Sequence, residues 1–364
     1  MKKTVLVFTI LAFASPAFAQ LGGLSGAVRR AQQVQDTKKK IDDLTFTDEE
    51  ERTIGADVSS KVRQRFGVVQ DPAIHKYVTL VGSTLTAASE RPDLPWTFIV
   101  LDTDGVNAFA SPGGFVHITR GALGLIQNEA ELAGVLGHEI GHVTRKHTIN
   151  ALRKNNAVKM GTSVASDRSA FLANVGNAVY NNVLENAYDR GDELDADKVG
   201  VDLPQKAGYD GKALGAFLQR LDDRNKNQAE KNGLFASHPE TTERIGKING
   251  LATAKTKATV QPRYKSNVKY EPAPITAIAV VADGASGLAG SSKDEKKEEP
   301  KKKGFGLGSL KQTVAPEKQS SQVSASGGAR GVGPDRAAKG GSNPAVVKAA
   351  VTASELAEFK KGIA

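Results

Sequence analysis

The run Glu129 to Val143 constrains this chain more than any other stretch, because it holds His138-Glu139-Ile140-Gly141-His142 inside a helical pattern. The pattern opens at Asn128 and reads as one helix running on through His147. Val135, Leu136, Ile140 and Val143 make it a core element, and Gly134, Gly137 and Gly141 permit close packing. Residues four apart on a helix share a face, so the imidazoles of His138 and His142 converge on one point. Two neutral imidazoles are good zinc ligands, and Glu139 beside them suits a general base acting on a metal-held water. The plain alternative is a helix with two exposed His. At this composition the pattern arises by chance on the order of once in 200 chains.

A hydrolytic zinc keeps one position open for water, so the protein should supply a third ligand. His147 is near in sequence. The longer three-histidine zinc pattern, however, needs Gly three residues after the second His and His six after it; here those positions are Arg145 and Thr148. His147 is therefore read as a structural or surface His. The second candidate lies in Arg190-Gly191-Asp192-Glu193-Leu194-Asp195-Ala196-Asp197. Glu193 and Asp197 are one helical turn apart, so Glu193 can bind zinc while Asp197 accepts a hydrogen bond from a ligand His and fixes its tautomer. Taken alone, such an acidic segment reads as a solvated helix face.

The rest of the body supplies helices and a small sheet. Thr47 and Glu50 fit a capping box, followed by Ile54, Val58, Val62 and Phe66 at helical spacing. A second helix is expected from Pro72 to about Ala88. Trp96 to Leu101 reads as a buried strand, Pro112-Gly113-Gly114 as a tight turn, and Phe115 to Thr119 as a strand with one wet side. The fold class is α+β and mostly helical, with a body over 47–250, after a linker over 20–46.

The termini differ from this body. Lys2 and Lys3, the apolar run Val5 to Ala14, and Ala17-Phe18-Ala19 before Gln20 read as a signal peptide over 1–19. An uncleaved anchor is the alternative. A strand-like run, Ile275 to Val281, falls in an extension over 251–283. Residues 284–342 form a Gly-, Ser- and Lys-rich tail that cannot bury enough apolar area to order itself. Asn343 as cap and Pro344 at the first helical position open a short helix within 343–364. The net charge of +9 is concentrated here: residues 284–364 carry 14 basic against 8 acidic residues, and residues 20–283 carry 33 against 32. A nearly neutral body argues against nucleic acid as a partner, and the basic tail suits an anionic membrane or wall surface. There is no Cys, hence no disulfide framework.

Four motifs carry a resemblance. They are Asn107-Ala108-Phe109-Ala110-Ser111-Pro112-Gly113-Gly114, Gly137 to Val143, Glu193 to Asp197 with Gly200, and Ser237-His238-Pro239 followed by Arg244-Ile245. In this order the chain resembles the zinc metallopeptidase family that includes the CAAX prenyl endopeptidase and the membrane protease HtpX. More narrowly, it resembles that family's soluble exported branch. The resemblance implies a gluzincin-type domain with a small sheet beside the zinc helix, one Zn2+ held by His138, His142 and Glu193, and Glu139 as base. It also implies that Phe115, Val116, His117, Ile118 and Thr119 form an edge strand on which an extended protein or peptide substrate pairs. His238 matches a His that stabilises the reacting carbonyl or blocks the open site as a removable ligand; a turn-capping His is the plain alternative. The implied activity is endopeptidase action on extended or unfolded envelope proteins. A chaperone-like client-binding protein with a structural or latched zinc is the competing reading.

Overall fold

The computed structural model describes residues 46–160, 168–185, 188–226, 238, 241–253, 256–273 and 343–363. The signal segment 1–19, the run Ile275 to Val281 and the tail 284–342 lie outside them.

The first helix, α1 (Asp48–Phe66), opens on the capping box. Thr47 Oγ accepts from the Glu50 amide, and the Glu50 carboxylate accepts from the Thr47 amide. Its apolar face, Ile54, Val58, Val62 and Phe66, is buried. Helix α2 (Pro72–Thr86) begins behind Asp71, whose carboxylate caps Ala73. Three strands follow: β1 (Thr97–Leu101), β2 (Ala108–Ser111) and β3 (Phe115–Thr119). The turn between β2 and β3 needs glycine at residue 113. Its φ is +71°, and a Cβ there would lie 2.4 Å from the Arg52 Cα.

The sheet order is β1-β3-β2, with β3 parallel to β1 and antiparallel to β2. This corrects the edge-strand expectation for Phe115, Val116, His117, Ile118 and Thr119. They form the central strand, hydrogen-bonded on both sides, so their main chain is not open to a further strand. All five residues are buried, so the wet side is absent too. The alternation misled because the polar members are satisfied internally. His117 Nε2 lies 2.9 Å from Ser59 Oγ, and Thr119 Oγ caps the Ala122 amide at the start of α3 (Arg120–Leu125).

The central helix, α4 (Glu129–Thr144), is capped by Asn128 and buried along its whole length. It ends three residues earlier than the pattern suggested. Lys146 takes a left-handed φ of 57°, and a new helix, α5 (His147–Met160), starts after it. Helices α6 (Arg168–Glu185), α7 (Arg190–Lys206), α8 (Ala213–Asn225) and α9 (Thr241–Leu251) complete the domain. Glycines bring α4 and α7 together: a Cβ on Gly141 would lie 3.0 Å from the Ala196 Cα.

The folded body continues past residue 250. Tyr209 and Ala258 form a β-bridge, and a short helix, α10 (Gln261–Asn267), buries Tyr264. Arg263 of α10 and the hydroxyls of Tyr77 and Tyr209 grip the Glu129 carboxylate at the head of α4. The C-terminal segment docks on the same side. Its helix, α11 (Ala353–Lys361), does not begin at Pro344; the capping box of Thr352 and Glu355 sets its start. Residues 343–345 instead run extended along α1 and its exit, with the Val68 amide donating to the Asn343 carbonyl at 2.7 Å. Phe359 packs on the Arg263 guanidinium at 3.9 Å. Among the described residues, no helix is long and apolar enough to cross a membrane.

Candidate metal centre

Helix α4 presents His138, Glu139 and His142, and α7 presents Glu193 and Asp197 across the glycine contact. His238 enters from the segment ahead of α9. One donor atom from each of His138, His142, Glu193 and His238 lies within 4.8 Å of the others, and all four residues are buried. The Nε2 atoms of His138 and His142 are 3.1 Å apart. His238 Nδ1 is 3.2 Å from His138 Nε2 and 2.8 Å from Glu193 Oε1.

Behind these atoms sits a second layer. Asp197 Oδ1 lies 3.0 Å from His138 Nδ1, which turns His138 Nε2 toward the cluster. Arg244, the fourth residue of α9, donates twice to Asp197 at 2.8 Å and 2.7 Å, and its Nη1 is 2.8 Å from Glu193 Oε2. The same guanidinium donates to the His238 carbonyl at 3.1 Å. One cation therefore ties together α7, α9 and the His238 segment. Tyr188 stacks on the His142 ring at 3.9 Å, and its hydroxyl meets Thr148 Oγ at 2.8 Å. Arg244 was visible in the sequence only as part of a motif, with no role attached. Tyr188 carried no signal, and His147 was set aside.

Burial sets the electrostatics, and the neighbours then correct it. Burial disfavours charge on Glu193 and His238, but each stabilises the other's charge. Glu193, helped also by Arg244, is held well below the usual carboxylate range, and His238 is raised. Burial of Asp197 is likewise outweighed by the hydrogen bonds from Arg244 and His138, which bring it down to about 2. His142 is pushed well below the usual imidazole range by burial, which keeps it neutral and able to bind a cation. Glu139 goes the other way: burial raises its carboxyl, and the charges of His238 and His138 offset only part of this.

The donor set fits a zinc ion. Imidazole nitrogens with one carboxylate are typical zinc ligands. Moreover, both Glu139 oxygens are buried with no hydrogen-bond partner among the described residues. His238 Nε2 lies 3.7 Å from Glu139 Oε1, too far for a hydrogen bond, so the buried carboxylate keeps acceptor capacity that a water molecule beside the cluster would use.

A helix-borne His-Glu-x-x-His pair with a glutamate from a later helix packed against it, set beside a small mixed sheet, defines a metallopeptidase domain. The comparison with protein families agrees: the model for peptidase family M48 matches residues 72–252. Residues 72–252 thus carry a peptidase family M48 domain. The chain is similar to the beta-barrel assembly-enhancing protease of Yersinia pestis, 28% identical over 57% of this chain and 45% of the relative. It is also similar to the mitochondrial metalloendopeptidase OMA1 of Schizosaccharomyces pombe, 27% identical over 54% of this chain and 60% of the relative. A third relative is the metalloprotease YcaL of Escherichia coli, 29% identical over 42% of this chain and 61% of the relative. The match spans less than two thirds of each relative's own length.

Proposed function

We propose that this protein is an exported zinc-dependent endopeptidase that cuts extended or unfolded envelope proteins. The observation that carries the reading is the buried Glu139 carboxylate, which makes no hydrogen bond among the described residues and lies 3.7 Å from His238 Nε2, beside the cluster of His138, His142 and Glu193. Zn2+ bound there would supply Lewis acidity toward a peptide carbonyl and make a water acidic enough to attack it. Glu139 takes the proton from that water and passes it to the leaving amine. Asp197, held by Arg244, keeps His138 in the tautomer that leaves Nε2 free toward the cluster, where it would hold the ion.

With β3 in the centre of the sheet, β2 is the strand left for substrate pairing, although its four residues are themselves buried. Ala108–Ser111 pairs with β3 on one side, and no strand among the described residues pairs on the other. An extended chain adding to that edge would be read mainly through its backbone, giving low sequence selectivity. The envelope as location rests on the signal-like N-terminus and on the relatives named beta-barrel assembly-enhancing protease. The basic tail, as a tether to an anionic surface, belongs to the same proposal.

A second reading has its own support. His238 Nδ1 shares the cluster with the other three donors, so it can fill the position that an attacking water needs. In that state the protein would hold clients without cutting them. Trapping in the native envelope separates the two readings. Under the enzyme reading, Glu139→Gln accumulates bound clients that wild type turns into products. Equal client recovery with both forms, and products from neither, supports the client-binding reading.

A further inference from the structure

We propose that His147 is a positioning residue for the metal centre, linking His142 to the Asp195 carboxylate. The inference rests on reading the cluster as a metal site. His147 Nδ1 lies 3.0 Å from His142 Nδ1, and both residues are buried. On the far side of the ring, His147 Nε2 faces Asp195 Oδ2 at 3.5 Å and Asp192 Oδ1 at 3.8 Å.

The proton positions follow from the chemistry. His142 Nε2 points into the cluster, 3.1 Å from His138 Nε2, so a metal held there takes that lone pair. A neutral imidazole ligated through Nε2 carries its hydrogen on Nδ1. His142 Nδ1–H must then donate, so His147 Nδ1 must accept, and the His147 hydrogen sits on Nε2, facing the acidic pair. Every nitrogen in the row has one consistent role. His138 has its carboxylate directly, through Asp197 at 3.0 Å. His142 has its carboxylate at one remove, through a second imidazole. Such outer partners orient a ligand ring and raise its basicity.

The backbone is bent to make this contact. In an uninterrupted helix, residues five apart lie about 140° apart around the axis, so His147 would face away from His142. The chain instead leaves α4 after Thr144, places Lys146 at φ 57°, and restarts with His147 as the first residue of α5. A left-handed conformation is strained at a lysine, which carries a Cβ. Tyr188, stacked on His142 and bonded to Thr148 of α5, holds the two rings on their shared side.

The test is Zn2+ affinity of the full chain, measured by competition with a chelator at neutral pH, for wild type, His147→Leu and His147→Asn. Asn places an amide oxygen where Nδ1 sits, so it can still accept from His142, whereas Leu cannot. The expected result is a Zn2+ affinity about 10–100-fold weaker for His147→Leu, with His147→Asn recovering most of it. Equal affinity for wild type and His147→Leu overturns the proposal, and so does an equal loss in both variants. In zinc-loaded wild type, 15N spectra of the histidine rings should show His142 protonated on Nδ1 and His147 on Nε2. The opposite assignment overturns the proposal without any variant having to fold. Failure of wild type to bind Zn2+ is a different outcome, which removes the metal reading itself and this inference with it.

Discussion

Gly137 of α4 and Gly200 of α7 pack in tight contact: a Cβ on Gly137 would lie 3.2 Å from the Gly200 Cα. This contact sets the distance between the helix carrying His138 and the helix carrying Glu193. A Cβ on Gly200 would lie 2.9 Å from Leu214 Cδ2 and 3.1 Å from the His138 amide nitrogen. Gly200→Ala should therefore destabilise the fold by about 1–3 kcal/mol through overpacking. It should also weaken metal binding, because the two helices are forced apart. Urea unfolding and chelator competition measure the two effects. Wild-type values in both would contradict this account of the contact.

Arg244 joins Asp197, Glu193 and the His238 carbonyl from a buried position. Removing one partner of a buried ion pair strands the other, at a cost of about 3–5 kcal/mol. Arg244→Ala should thus lower stability by that order and lower zinc affinity as well. The removal of Asp197 alone through Asp197→Asn should be milder, since Glu193 keeps its cation. Denaturant melts of both variants give the ranking, and a harmless Arg244→Ala would refute it.

His117 gives the fold an acid sensitivity outside the metal centre. Burial lowers its pKa to about 3, so between that value and the unfolded value of 6.5 the native state binds fewer protons than the unfolded chain. Its contribution to stability is complete above pH 6.5 and is lost as pH falls toward 3, at about 1.4 kcal/mol per pH unit. His117→Gln removes this share. The stability difference between wild type and His117→Gln should shrink steadily from pH 6.5 to pH 4. A flat difference over that range would mean that His117 is not held neutral by burial.

The docked C-terminus steadies the head of α4. Phe359 lies on Arg263, which holds Glu129, and its ring also meets that of Tyr77 at 6.3 Å. Phe359→Ala should cost about 1–2 kcal/mol, the sum expected from a cation–π contact and an aromatic pair. Thermal melts check it. No change would show that the segment rests on the body without stabilising it.

What the sequence revealed and concealed follows a physical pattern. His138, His142 and the capping box of Thr47 with Glu50 were readable because each rests on helical spacing alone. The α+β class followed from the same periodicities. The central place of Phe115–Thr119 was hidden: His117 and Thr119 looked solvated, but Ser59 and the α3 amides satisfy them inside the protein. The break before His147 was hidden as well, since it depends on a left-handed lysine rather than on Gly or Pro. At the C-terminus, the helix starts at a cap other than the one read from the sequence. Thr352 with Glu355 caps it in place of Asn343-Pro344, whose segment is drawn into backbone bonds with the body. Arg244 could be placed only by knowing which side chains a tertiary contact would gather.

The most direct measurement is cleavage of an unfolded protein, such as reduced and alkylated casein, by zinc-loaded wild type and zinc-loaded Glu139→Gln. Metal content is determined on the same samples. The account predicts one zinc ion per chain in both, an unchanged fold in both, and at least about a 100-fold loss of cleavage in the variant. Substantial cleavage by a zinc-replete Glu139→Gln protein would contradict it.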